Sequence, residues 1–216
     1  MPVYRLNQQI CFPDPRLAEA DGFLAVGGDL SEERLLLAYT NGIFPWYNPG
    51  ETIQWWCPHE RFVIIPGEIR ISGSMRKFIK KTDVAVTVNR DFRAVMHECR
   101  LLREEEGTWI GDEMEEAYNR LFHDGYAASV EVWKDRQLVG GLYGVCIGRC
   151  FFGESMFSKV PNVSKLALIK LAELLERSGF VFIDCQFHTD HLESMGGKYI
   201  DYEEYMGLMK RGLSAR

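Results

Sequence analysis

The chain has 216 residues, is 46% hydrophobic and carries a formal net charge of −6. That length fits one large domain, or a large domain with a small companion, and the apolar fraction excludes wholesale disorder. The acidic balance excludes a protein that is basic throughout, so a nucleic-acid partner must be met by a local basic patch.

The first residues, Met1-Pro2-Val3-Tyr4-Arg5, lack the continuous apolar stretch of a secretion signal. No apolar run is long enough to span a bilayer; Leu138 to Ile147 is too short and holds three glycines. A soluble cytoplasmic protein with no membrane contact is expected. Residues 1–60 are rich in turns, with Cys11-Phe12-Pro13-Asp14-Pro15 and Phe44-Pro45-Trp46-Tyr47-Asn48-Pro49-Gly50 bending the chain. One helix is predicted between them. Ser31 caps it, Glu32 and Glu33 sit in its positive first turn, and Asn41-Gly42 stops it. The aromatics Trp46, Tyr47, Trp55 and Trp56 are expected to pack on the rest of the protein. We read 1–60 as a small N-terminal α/β domain and 61–216 as the main domain.

Past residue 60 helices and strands alternate. Arg61 to Pro66 reads as extended and Ser72 to Lys81 as helical. Val84, Val86 and Val88 alternate as in a half-buried strand. Phe92, Val95, Met96 and Cys99 recur at helical spacing, as do Met114, Ala117, Tyr118, Leu121 and Phe122 before Gly125. Ser129–Trp133, Leu138–Ile147 and Cys150–Phe157 then form an antiparallel meander, joined at Lys134-Asp135-Arg136-Gln137 and Gly148-Arg149. Ser164 is predicted to cap a long helix to Ser178, with Leu168, Leu171, Ala172 and Leu175 inward. Phe180 to Cys185 reads as a buried strand and Tyr202 to Lys210 as a last helix.

Six cysteines, Cys11, Cys57, Cys99, Cys146, Cys150 and Cys185, form no C-x-x-C pair, and buried free thiols are expected. Phosphate-loop, dinucleotide and G-x-S-x-G motifs are missing. His188 and His191 form an H-x-x-H without a third ligand nearby, so no metal site is expected. In Ile183-Asp184-Cys185-Gln186, strand alternation puts Asp184 and Gln186 on one face and Cys185 on the other. The pair marks either a strand end meeting solvent or a functional site. Phe152, Glu154 and Met156 likewise share a face, and a carboxylate between Phe and Met must be paired, protonated or functional. Arg70, Arg76, Lys77, Lys80 and Lys81 form a basic cluster that is either a solvated helix face or a nucleic-acid patch.

Several motifs together resemble those of the leucyl/phenylalanyl-tRNA–protein transferase family. They are Gly27-Gly28-Asp29-Leu30, Gly42-Ile43-Phe44-Pro45-Trp46, Trp55-Trp56-Cys57-Pro58, Gly107-Thr108-Trp109-Ile110, Val139-Gly140-Gly141-Leu142-Tyr143-Gly144, Gly153-Glu154-Ser155-Met156-Phe157-Ser158 and Ile183-Asp184-Cys185-Gln186. They fall in order, with compatible spacings, from about Phe12 to Gly196. The resemblance implies an α+β fold: a small N-terminal domain on an N-acetyltransferase-like (GNAT-like) domain with a mixed, mainly antiparallel sheet. It implies a monomer that moves Leu, Phe or, less well, Met from aminoacyl-tRNA to proteins beginning with Arg or Lys, marking them for degradation. An aminoacyl ester is already activated, so no cofactor is called for.

By the same resemblance, Asp184 and Gln186 form a relay beside the acceptor amine and Glu154 is the acidic pocket residue. Trp46, Leu142, Phe151 and Met156 match positions of the aminoacyl pocket. Gly140 and Gly141, with Gly144, either let backbone approach the terminal adenosine or mark strand bulges. Arg76, Lys77, Lys80 and Lys81 resemble the tRNA-facing surface, where contact would be with phosphate. One departure is Ala128, where the family usually has histidine. Three rivals remain: an acyl-CoA enzyme, for which a [QR]-x-x-G-x-[GA] loop is missing; a non-catalytic tRNA or peptide-binding module; and a hydrolase using Cys185 with His188 or His191.

Overall fold

The computed structural model describes residues 3–102 and 109–214. The chain opens with β1 (Tyr4–Leu6), β2 (Phe23–Gly27), α1 (Glu32–Thr40), β3 (Phe44–Pro45) and β4 (Gln54–Trp56). The four strands form a sheet in the order β1-β2-β4-β3. The sequence predicts α1 but reads the remainder as turns, because strands of two to five residues are too short for alternation to register. Gly28 adopts φ 76° over the buried Arg34, whose Cζ would lie 3.0 Å from a Cβ there. That guanidinium donates to the carbonyls of Asn7 (2.7 Å) and Gln9 (3.2 Å) and pairs with Asp29, so Gly27-Gly28-Asp29 fastens α1 to the N-terminal strand region.

Next come β5 (Arg61–Ile64), α2 (Gly73–Lys81), β6 (Ala85–Val88), α3 (Phe92–Leu101), α4 (Asp112–His123), β7 (Ala127–Lys134), β8 (Gln137–Ile147) and β9 (Cys150–Ser158). The chain ends with α5 (Val163–Arg177), β10 (Phe182–Asp184), α6 (Asp190–Ser194), β11 (Lys198–Ile200) and α7 (Tyr202–Ser214). Seven strands form a second sheet in the order β11-β5-β10-β9-β8-β7-β6. β10 runs parallel to β9 and every other neighbouring pair is antiparallel, so the class is α+β. The meander follows the expected strands. Asp135 (φ 49°) and Arg136 (φ 64°) both take the left-handed conformation that a two-residue hairpin turn demands.

Some boundaries differ from the sequence reading; the last helix, expected to Lys210, runs on to Ser214. Asn162 rather than Ser164 caps α5, at φ 74°, which leaves Ser164 inside the first turn. The strand expected over Phe180–Cys185 pairs only over Phe182–Asp184.

Each face of the large sheet carries a buried cluster. One face meets α5 through Leu168, Leu171, Ala172 and Leu175, with Leu142, Phe151 and Ile183 from the strands. The other joins Leu35, Tyr39 and Trp55 of the first sixty residues to Phe92, Met96, Tyr118 and Phe152. Tyr47, Trp55 and Trp56 pack as expected, whereas Trp46 is 43% exposed. All six cysteines are free, but only Cys57, Cys99 and Cys150 are buried; Cys146 and Cys185 are half-buried and Cys11 is exposed. Among the described residues no helix is long and apolar enough to cross a membrane.

Candidate active site

β9 and β10 pair in register over Cys150–Phe152 and Phe182–Asp184, then part. A cleft of about 600 Å³ occupies the gap, walled by Gly153–Ser158, by Cys185–Phe187, by the inner face of α5 and by Phe44–Trp46. Trp46 and Phe187 meet at the mouth with ring centroids 5.3 Å apart.

Glu154 reaches this cleft through an irregularity. Tyr143 pairs with Ser155 and Gly144 with Gly153, so Glu154 is an extra residue in β9, a bulge. The bulge corrects the alternation reading. Phe152 belongs to the cluster that holds Tyr39, whereas Met156 packs on the α5 side. Tyr39 Oη donates to Glu154 Oε1 (2.7 Å), the Tyr39 and Tyr118 hydroxyls bond to each other, and Tyr118 Oη lies 3.3 Å from Oε2, in reach of the proton that a neutral Glu154 carries. Gln186 Nε2 donates to Oε1 (3.2 Å). Burial raises the Glu154 carboxyl to about 8; the phenolic donors oppose the rise and the nearby Asp184 charge adds to it. The group therefore holds its proton through neutral pH.

The expectation that Asp184 and Gln186 share a face, with Cys185 opposite, is overturned. Alternation applies only within a strand; β10 stops at Asp184 and Gln186 takes φ 62°. Cys185 and Gln186 both line the cleft, and Asp184 does not. Its carboxylate lies behind the wall, where it accepts from Tyr205 Oη (2.8 Å), pairs with Arg61 Nε (3.3 Å) and accepts from the Gln186 backbone N–H (2.8 Å). Arg61 is itself buried, donates to the Gly42 carbonyl and lies over the Phe44 and Tyr205 rings. Such a buried charge persists only because it is paired.

Trp46, Leu142, Phe151 and Met156 all line the cleft. Gly140 and Gly141 do not line it. A Cβ on Gly140 would meet Val163 Cγ2 at 2.4 Å and one on Gly141 would meet the Val130 carbonyl at 2.7 Å, so these glycines serve close packing. Gly144 is equally confined: a Cβ there would lie 2.2 Å from the Phe152 carbonyl oxygen. Arg76, Lys77, Lys80 and Lys81 are carried on α2, away from the cleft wall. Ala128 pairs with Gly144 in the meander. Gly107 and Thr108 lie outside the described residues, while Trp109 of the same motif lines the cleft.

Sequence reasoning missed Tyr39 and Tyr118 as partners of Glu154, and Arg61 and Tyr205 as partners of Asp184. A tyrosine inside an otherwise aliphatic helix stripe is the available signal, since its buried hydroxyl must find a partner. His191 lines the cleft, and burial, with Lys165 nearby, lowers its pKa. His188 bonds instead to Glu193 (2.8 Å). His188, Asp190 and Glu193 bring one ligand atom each within 4.8 Å of one another, with both acids exposed.

The family profile described as leucyl/phenylalanyl-tRNA protein transferase matches residues 63–210. The profile of that family's N-terminal domain matches residues 28–59. This chain belongs to the leucyl/phenylalanyl-tRNA protein transferase family. The leucyl/phenylalanyl-tRNA–protein transferase of Syntrophus aciditrophicus (strain SB) is 54% identical over 215 residues, 99% of this chain and 90% of that protein. The protein of the same name from Desulfatibacillum aliphaticivorans is 55% identical over 200 residues, 92% of this chain and 86% of that protein. Among solved structures, the PaiA N-acetyltransferase of Thermoplasma acidophilum in complex with coenzyme A aligns with a TM-score of 0.34 at 11% identity, over 46% of this chain and 76% of that one. As a leucyl/phenylalanyl-tRNA protein transferase, the chain is an aminoacyltransferase whose donor is an aminoacyl-tRNA and whose acceptor is a protein.

Proposed function

We propose that this family member moves leucine and phenylalanine, and methionine less well, from their tRNAs to the N-terminal α-amine of proteins that begin with Arg or Lys, which marks them for degradation. It works as a cytoplasmic monomer and needs no cofactor. The observation that carries this reading is one cleft in which an apolar chamber, formed by Leu142, Phe151, Met156, Leu168 and Ile183, adjoins the Glu154–Gln186 pair. The chamber suits an apolar donor side chain, and Met156 supplies the flexibility to take both leucine and phenylalanine. Residues 1–60 contribute the mouth through Phe44 and Trp46, where the terminal adenine stacks. Residues 61–216 carry the chemistry. The cations Arg76, Lys77, Lys80 and Lys81 meet tRNA phosphates.

With Gln186 Nε2 committed to Glu154, the amide oxygen is the atom left to accept from the acceptor amine and aim its lone pair. The nitrogen attacks the ester carbonyl carbon, an amide bond forms, and the bond to the ribose oxygen breaks. The amine proton ends on that oxygen. A free α-amine titrates at about 7.7–8.0, so little activation is needed. Glu154, titrating at about 8, is matched to relay the proton. Asp184 acts through the Gln186 backbone as a positioning residue.

Purified protein, Leu-tRNA and peptides beginning with Arg, Lys, Ala or Asp test this reading by mass spectrometry. A leucine adduct is expected on the Arg and Lys peptides alone, abolished by ribonuclease and independent of coenzyme A. An adduct that survives ribonuclease overturns the donor assignment, and equal transfer to all four peptides overturns the acceptor assignment.

A further inference from the structure

Past Phe152, β9 keeps its ladder with β8 as far as Ser158 but loses β10. Its opposite edge, over Gly153–Ser158, has no backbone partner among the described residues, and all six of these residues line the cleft. A bare strand edge presents a row of N–H and C=O groups that bind another extended backbone. Of the two substrates, only the acceptor is a polypeptide, with matching groups at about 3.3 Å per residue. The aminoacyl ester and the sugar–phosphate chain carry no such repeat.

We propose that the first residues of the acceptor enter the cleft as an added strand on the free edge of β9 at Gly153–Ser158, running parallel to β9. The direction rests on the proposed function, in which the acceptor amine meets Glu154 and Gln186 at the closed end of the gap. From there the chain leaves toward Ser158, along the line that β10 abandons at Asp184. The bulge at Glu154 lets one strand do two jobs. Its extra residue turns an acid to the amine, and the regular residues beyond it pair with the backbone that follows. Side chains of the acceptor beyond its first residue then contribute little, because the contacts are between main chains.

Peptides that begin with Arg and carry a single N-methyl group on the amide of residue 2, 3 or 4 test this. Each is compared with its unmethylated parent in leucine transfer from Leu-tRNA, with rates read against peptide concentration by mass spectrometry. Successive N–H groups of a strand point to opposite sides. Methylation is therefore expected to raise KM about tenfold at alternate positions, either 2 and 4 or 3 alone, and to leave the others like the parent, because a blocked donor also strands its partner. Parent-like KM at all three positions, or an equal rise at all three, overturns the added strand. Failure of the unmethylated Arg peptide to accept leucine overturns the acceptor reading instead, so the two failures are distinct.

Discussion

Asp184 and Gln186 stand back to back: the Gln186 N–H donates to Asp184 Oδ1 at 2.8 Å, while the Gln186 side chain enters the cleft and the Asp184 carboxylate turns to Arg61. The relationship separates the two residues experimentally.

Asp184→Ala removes the partner of a buried guanidinium. Breaking such a pair from one side costs about 3–5 kcal/mol. A urea titration is expected to show a loss of that size, together with reduced activity. A loss under about 1 kcal/mol, within the range of an exposed pair, would falsify the anchoring role.

Gln186→Gly has the opposite signature. Gln186 sits at φ 62°, a conformation that glycine adopts without strain. Relief of that strain offsets the backbone freedom glycine loses on folding, so the variant is expected to melt no lower than the parent. The amide is gone, and kcat is expected to fall about 100-fold. Retained activity removes Gln186 from the site.

Glu154 makes stability depend on pH. Its folded-state pKa is raised to about 8 from the ordinary 4.5, so the folded chain keeps a proton that the unfolded chain has released. Its contribution is fully present below the unfolded value and is lost as pH rises through the folded one. Glu154→Gln abolishes that dependence. The Tm of the variant relative to the parent is expected to climb by about 5 °C or more from about pH 5 to about pH 8. A constant difference contradicts the shift.

Leu142 lines the chamber and is 3% exposed. Leu142→Phe fills part of it, which penalises the larger donor side chain first. The ratio of phenylalanine to leucine transfer is expected to fall about tenfold, within the range that one or two methylenes control in an apolar pocket. An unchanged ratio places the donor side chain elsewhere.

Lys80 and Lys81 end α2, outside the cleft wall. The double variant Lys80→Ala/Lys81→Ala is expected to raise KM for Leu-tRNA and to lower the salt slope by about 1 for each phosphate no longer neutralised. Transfer from leucyl-adenosine, which lacks the tRNA body, should not change. Equal effects on both donors argue against a role in holding tRNA.

The longer helices were legible because their periodicity carries over several turns, whereas the five-residue α6 was not. Phe92, Val95, Met96 and Cys99 are all buried as their spacing predicts. The meander was legible for the same reason in strand form. The strands of the first sixty residues are too short to leave a pattern. At the site, the chemistry of Glu154 was legible and its direction was not, because a bulge exists only relative to a partner strand. The alternation rule misplaced Asp184 and Cys185 once Gln186 turned left-handed. Tyr39 lies 115 residues from Glu154 in the chain, and no local pattern joins them. In sequence Gly140 and Gly141 mark either a ligand approach or a strand bulge, and only the folded chain shows the neighbouring side chain or carbonyl for which each makes room.

The hydroxyl of Tyr39 on α1 reaches Glu154 in β9, so the acid's protonation is set jointly by both matched segments of the family. Hybrids that graft the N-terminal segment of one relative onto the body of another therefore inherit a shared proton, not merely a shared surface. Such chimaeras would keep their working pH only when the residue facing Tyr39 travels with it, and this ties the history of the two halves together.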